Sequence, residues 1–147
     1  MFKPNFFVKL LFLLAIFICG CKSVHKVSYP LDGGIVKKEQ FGYIEENENT
    51  LEIVSPNDTV KSYVSGKVFS LIDAGDDMGI VIESNNCYYS FSNLVTTAVK
   101  KGSLVQIGDI IGTVKKNQSQ YKVWLKKSCG NKVFTNKEIY AELSKIK

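Results

Sequence analysis

From residue 50 onward the chain reads as short runs of alternating apolar and polar residues, each bounded by a cluster of turn formers. Thr50 to Val54, Val60 to Ile72, Gly79 to Ser84, Cys87 to Phe91, Ser103 to Ile107, Ile110 to Lys115, Tyr121 to Leu125 and Lys132 to Phe134 are rich in β-branched and aromatic residues. Asn57-Asp58, Ala74-Gly75-Asp76-Asp77, Asn85-Asn86, Gly108-Asp109, Asn117-Gln118 and Gly130-Asn131 punctuate them with residues that supply turn geometry. Strands at this spacing predict an all-β sandwich or barrel. One segment departs from the period of two: Ile139, Tyr140, Leu143 and Ile146 recur at helical spacing, which predicts a short C-terminal helix capped by Asn136. Within the longest run, Gly66 interrupts Val64-Ser65-Gly66-Lys67-Val68, where a bend or a close backbone approach is expected.

The first 20 residues follow a different rule. Lys3 and Lys9 precede Leu10 to Gly20, which is uncharged and almost wholly apolar, a positive n-region followed by an h-region. At about 1.5 Å per helical residue that run is too short for a hydrocarbon core of about 30 Å, so residues 1–20 read as a signal peptide rather than a permanent span. Ile18-Cys19-Gly20-Cys21 resembles the lipobox of bacterial lipoproteins: an aliphatic residue, two small residues, and the cysteine that takes diacylglycerol. The resemblance implies a lipid on Cys21 and a stable membrane anchor, since each buried methylene contributes roughly 0.8 kcal/mol. The alternative is an ordinary secretory signal. Residues 21–29 show no periodicity and read as a tether whose extended reach is at most about 30 Å. Lys22 rather than Asp follows the cysteine, which under the residue-after-cysteine rule implies the outer membrane, facing the periplasm.

Removal of the signal leaves 127 residues, enough for one domain with a core. Arginine is absent, and every basic residue is lysine. Residues 30–99 hold four lysines against 11 acids, whereas residues 100–147 hold 11 lysines against three acids. Such a dipolar chain can pair its halves or present two faces of opposite sign; the alternative is solvated charge that keeps a β-rich domain soluble. Export argues against nucleic acid as a partner.

Val99-Lys100-Lys101-Gly102-Ser103-Leu104-Val105-Gln106-Ile107-Gly108-Asp109-Ile110-Ile111-Gly112-Thr113-Val114 resembles the barrel-sandwich hybrid shared by biotinyl/lipoyl domains and by the LytM-type (lysostaphin-like) zinc endopeptidases of the cell wall. No lysine stands in a biotinyl or lipoyl setting at a hairpin tip. The order of the other segments is similar to the LytM type: Phe41-Gly42-Tyr43 in its entry strand, Thr50 to Ile53 leading into Ser55-Pro56-Asn57-Asp58, the Gly66 turn, Phe91-Ser92-Asn93-Leu94, the glycine hairpin, and Tyr121 to Leu125 as the last core strand. The resemblance covers about residues 30–134. It implies an all-β barrel-sandwich hybrid of LytM/lysostaphin-like antiparallel sheets, with residues 135–147 as the C-terminal helix.

The resemblance fails where the chemistry belongs. In the enzymes a His, an Asp four residues later and the second His of a His-x-His strand bind zinc, while further histidines act on the attacking water. Here the first pair falls on Glu48 and Glu52, the His-x-His strand on Tyr121 and Val123, and the remaining His on Asn93. Val123 has no donor atom, and the mature chain's one histidine, His25, lies in the tether. A catalytic zinc needs three protein ligands and a position for water. No cofactor is therefore expected. A serine or cysteine nucleophile lacks a base, and the glycines do not form a phosphate loop.

These features together imply a membrane-tethered, catalytically inactive LytM-like lipoprotein that binds peptidoglycan or a cell-wall hydrolase. The competing expectation is an endopeptidase with residual or altered chemistry on peptidoglycan cross-links. Trp124, Tyr121, Tyr88, Tyr89 and Phe91 offer flat faces for such a groove, and Lys122, Lys126 and Lys127 offer charge for acidic stem peptides; core packing is the competing role for Trp124 and Phe91. With Cys19 removed and Cys21 lipidated, Cys87 and Cys129 remain, and two thiols in an exported protein suggest one disulfide, free buried thiols being the alternative.

Overall fold

The computed structural model describes residues 24–37 and 48–146. The signal peptide, Cys21 and Phe41-Gly42-Tyr43 lie outside the described residues. Twelve strands are formed among the described residues: β1 (Val24–Val27), β2 (Gly34–Lys37), β3 (Leu51–Ser55), β4 (Thr59–Lys61), β5 (Gly66–Asp73), β6 (Met78–Ser84), β7 (Cys87–Thr97), β8 (Leu104–Val105), β9 (Ile110–Val114), β10 (Lys116–Asn117), β11 (Gln120–Cys129) and β12 (Lys132–Val133). They are followed by helix α1 (Asn136–Leu143). All pairings are antiparallel, and the main path runs β1-β2-β3-β11-β7-β6-β5-β8. This is the expected all-β architecture with one short C-terminal helix among the described residues.

The core follows from the pleat, which sends alternate side chains to opposite faces. Leu51 and Ile53 of β3, Val123 and Leu125 of β11, Tyr89 and Phe91 of β7, and Ile80 and Ile82 of β6 point to one face and are buried. Leu31, Val60, Tyr63, Ile111 and Val114 close over them from the β4/β9 side, and Ile139 and Leu143 of α1 join the same cluster. Strand β7 links the two layers: its first half pairs with β6 and β11, and Leu94, Thr96 and Thr97 pair with β9.

Three boundaries differ from the sequence expectation. The run from Val60 to Ile72 is two strands, because the Ser62 N–H donates to the Asp109 carbonyl and the Ser62 hydroxyl to the Val64 carbonyl, which takes residues 62–65 out of the ladder. Gly66 then begins β5 where a Cβ would collide with the Glu83 carbonyl oxygen, the close backbone approach anticipated at this position. The helix cap is Thr135, not Asn136: the extended Thr135 accepts the Glu138 N–H, and the Glu138 carboxylate accepts the Thr135 N–H in return, a capping box. Val24–Val27, expected as part of an irregular tether, forms a hairpin with β2. Cys21 therefore stands only three residues ahead of a strand, a reach of about 10 Å.

Cys87 and Cys129 face each other across the β7–β11 ladder and form a disulfide 42 residues apart in sequence. Reduction should lower unfolding stability by about 2–5 kcal/mol. Denaturant melts with and without reductant read this, alongside a non-reduced digest in which the two cysteine peptides run as one; two alkylatable thiols in the native protein would contradict it.

Candidate functional site

The register of β3, β11 and β7 sorts the expected site residues between two faces. Trp124 lies directly opposite Glu52 on one side and Ser92 on the other, while Val123 lies opposite Ile53. Glu52, Lys122, Trp124 and Lys126 therefore face outward, and Val123, Leu125 and Lys127 face the core.

A metal bound by Glu52 has to be ligated from the face that Glu52 occupies. The His-x-His positions that share this face are Lys122 and Trp124, one residue away from the expected Tyr121 and Val123. Val123 is 0% exposed within the core, and Tyr121 packs against that core. A shift of one residue in a strand exchanges the faces, which accounts for the whole discrepancy. Glu48 is exposed in the turn before β3, and its carbonyl accepts the Asn136 N–H at 2.6 Å.

Around Glu52 the outward face is closely bonded. The Trp124 Nε1–H donates to Glu52 Oε2 at 3.0 Å, and Lys122 Nζ forms an ion pair with Glu52 Oε1 at 3.3 Å. Asn93 adopts a left-handed backbone (φ 69°), and its Nδ2 donates to the Lys122 carbonyl at 2.7 Å. Glu52, Asn93, Lys122 and Trp124 are thus brought together. A zinc ion does not fit this arrangement. An ammonium and an indole N–H have no lone pair to give a metal, and the carboxylate already faces a cation. Among the described residues no group of three or more His, Cys, Asp or Glu is placed to hold a metal.

Further along the same face, Ser90 lies opposite Lys126 and Tyr88 opposite Ser128. The Tyr88 ring meets Phe69 of β5 edge-on with centroids 5.0 Å apart, and Phe69 is 48% exposed. Trp124 and the Tyr88/Phe69 pair flank a strip of small residues, Ser92 and Ser90. Phe69 escaped the sequence reading because Val68-Phe69-Ser70-Leu71-Ile72 is too continuously apolar to reveal which side chains point out, and a bulge between Val68 and Ser70 shifts the alternation.

Three expected groove residues lie elsewhere. Phe91 is 0% exposed and packs on Tyr63 at 5.3 Å between ring centroids, and Tyr89 is buried beside it. Both are core. Lys127 is 9% exposed; its Nζ sits 2.6 Å from Glu142 Oε2 of α1 and over the Tyr89 and Phe134 rings. Burial lowers the Lys127 pKa, but the hydrogen bonds to Glu142 and Tyr89 outweigh it and hold the pKa above the usual lysine value. Lys127 secures the helix to the sheet and is not available to an outside anion.

No protein-family model and no curated protein matches the chain. Solved structures do. A putative peptidase M23 from Pseudomonas aeruginosa has TM-score 0.54 at 18% identity, covering 96% of this chain and 64% of that one. A zinc-containing peptidase from Vibrio cholerae has TM-score 0.53 at 21% identity, over 77% of this chain and 40% of that one. Lysostaphin has TM-score 0.50 at 17% identity, over 65% and 43%. The chain spans less than two thirds of each of these structures. The fold is the LytM-type (lysostaphin-like) one, carried here without a zinc-ligand group among the described residues.

The two adjacent lysines separate the faces experimentally. Lys127→Met should cost about 1.5–3 kcal/mol through the lost charged hydrogen bonds, whereas Lys126→Met, on the exposed side, should stay within about 0.5 kcal/mol. Because the Lys127 pKa is raised, its contribution is complete below the unfolded value of about 10.4 and disappears as pH rises through the folded value. Denaturant melts of both variants at neutral and strongly alkaline pH check this; equal costs at neutral pH would contradict the assignment of faces.

Proposed function

We propose that this chain is a lipid-anchored, catalytically inactive protein of the LytM fold that binds the peptide or glycan of peptidoglycan on its outward face. The observation that carries the reading is the state of Glu52: the carboxylate at the metal position is occupied by donors from Lys122 and Trp124. Beside it lies a strip suited to a flat polar polymer, with Trp124 at one edge, serines along the floor and Tyr88 with Phe69 at the other edge. Lys126 adds exposed positive charge for acidic stem peptides. The short segment between Cys21 and Val24 keeps the domain against its bilayer, so the polymer has to be wall close to the membrane. The names of the similar structures, a zinc-containing peptidase, a peptidase M23 and lysostaphin, supply the substrate class by analogy.

A second reading has its own support. Phe69 and Val133 are exposed apolar residues on or next to this face, which suits a protein partner such as a wall hydrolase.

Isolated sacculi should sediment the protein without releasing muropeptides from it. Trp124→Ala should weaken that binding at least tenfold, about 1.4 kcal/mol. Lys126→Ala should weaken it less, and mainly at low salt, where the Debye length is about 10 Å at 0.1 M. Indifference to sacculi together with crosslinking to an envelope hydrolase through Phe69 or Val133 would favour the second reading. Chelator-sensitive cleavage of cross-links would overturn both.

A further inference from the structure

The Lys122–Glu52–Trp124 cluster has the character of a completed site rather than the remains of one. Two donors from one strand converge on a single carboxylate of the neighbouring strand, at 3.0 and 3.3 Å. The side chains of Lys122 and Glu52 are 29% and 30% exposed, so the pair is partly shielded from water. The strand that carries the donors is held in turn: Asn93, in a left-handed backbone conformation, donates to the carbonyl of Lys122 itself. A left-handed non-glycine residue is uncommon, and Asn is among the residues that tolerate it.

We propose that the Lys122 ammonium, supported by the Trp124 indole N–H, replaces the divalent cation that this fold holds at the same carboxylate, so that the chain carries its site cation covalently. The charge balance that an enzyme of this fold obtains from zinc is supplied here by a side chain that no chelator removes. A second cation approaching Glu52 meets the ammonium and is repelled. The outward face therefore keeps one shape whatever the zinc supply of the envelope, and ligand binding there is uncoupled from metal. This rests on the reading of Glu52 given above and deepens it; the test below reads metal at Glu52 and not wall binding, so the two can fail separately.

Trp124 is the only tryptophan in the sequence, so its emission reports from the site without further labelling. The full chain, stripped with chelator and titrated with zinc chloride, should show no change in emission or thermal midpoint. Lys122→His removes the internal cation and presents an imidazole on Glu52's face, and it should bind zinc at least tenfold more tightly than the parent, about 1.4 kcal/mol. Adding Glu52→Gln should abolish that gain. A parent chain that takes up one zinc, and loses it on Glu52→Gln, would overturn the proposal; so would a folded Lys122→His variant that gains nothing. If Lys122→His fails to fold, Glu52→Gln alone decides the matter by amine labelling. Acetylation of Lys122 relative to Lys126 should then rise severalfold and the Trp124 emission should shift, whereas an unchanged ratio and spectrum would overturn the claim.

Discussion

The pairing of Trp124 with Glu52 across β3 and β11 fixes the side of the sheet to which every residue from Tyr121 to Cys129 belongs. Once that register is set, Val123 and Leu125 have to enter the core beside Ile53 and Phe91, and Lys122, Trp124 and Lys126 have to remain outside. A slip of β11 by one residue would bury Lys122 and Lys126 and expose Val123 and Leu125. Each buried aliphatic side chain contributes roughly 1.5–3 kcal/mol, and an unpaired buried charge costs several more, so the alternative register is excluded by a wide margin.

The inner face is closed by a set of interactions that extends beyond apolar packing. Lys127, Glu142 and Tyr89 join α1 to β11 and β7, and the Cys87–Cys129 bridge locks the same end of those two strands. Tyr63 lies beneath them with its hydroxyl unpaired among the described residues, and burial holds its phenol well above the usual tyrosine range, so it stays neutral. These contacts fill the inward face with packed side chains among the described residues. On the outward face the residues around Glu52 satisfy one another.

Most of the fold could be read from the sequence because alternation, turn residues and the glycine hairpin agree on strands. The Gly66 approach was visible for the same reason, since a glycine inside a strand has few other purposes. Other features were hidden by physics that alternation does not carry. Strand β7 runs to Thr97, past the Phe91 limit that the sequence suggested, because the ladder absorbs Asn93 and a bulge between Leu94 and Thr96 as irregularities. Strand β11 continues through Lys126-Lys127-Ser128-Cys129, a stretch too polar to announce a strand, because pairing with β7 continues to Cys87. The helix cap moved by one residue because Thr135 and Glu138 form a reciprocal pair that Asn136 cannot form. The cluster around Glu52 was half visible: the resemblance named Glu52 and Asn93, and the structure puts Lys122 and Trp124, rather than the named Tyr121 and Val123, on the side of the sheet that Glu52 occupies. Phe91, Tyr89 and Lys127 looked like groove residues because composition alone does not distinguish the two faces of a strand.

The Glu52 carboxylate is held by side chains of this chain itself, Trp124 and Lys122. The indole N–H of Trp124 tests this most directly, since a chain with one tryptophan gives one indole cross-peak in a nitrogen–proton NMR spectrum. With Glu52 as its acceptor, that proton should exchange slowly with water, should be unaffected by chelator or added zinc, and should move and exchange faster in Glu52→Gln. An indole proton that exchanges at the rate of a free side chain, or that shifts when zinc is added to the unmodified protein, would contradict the account.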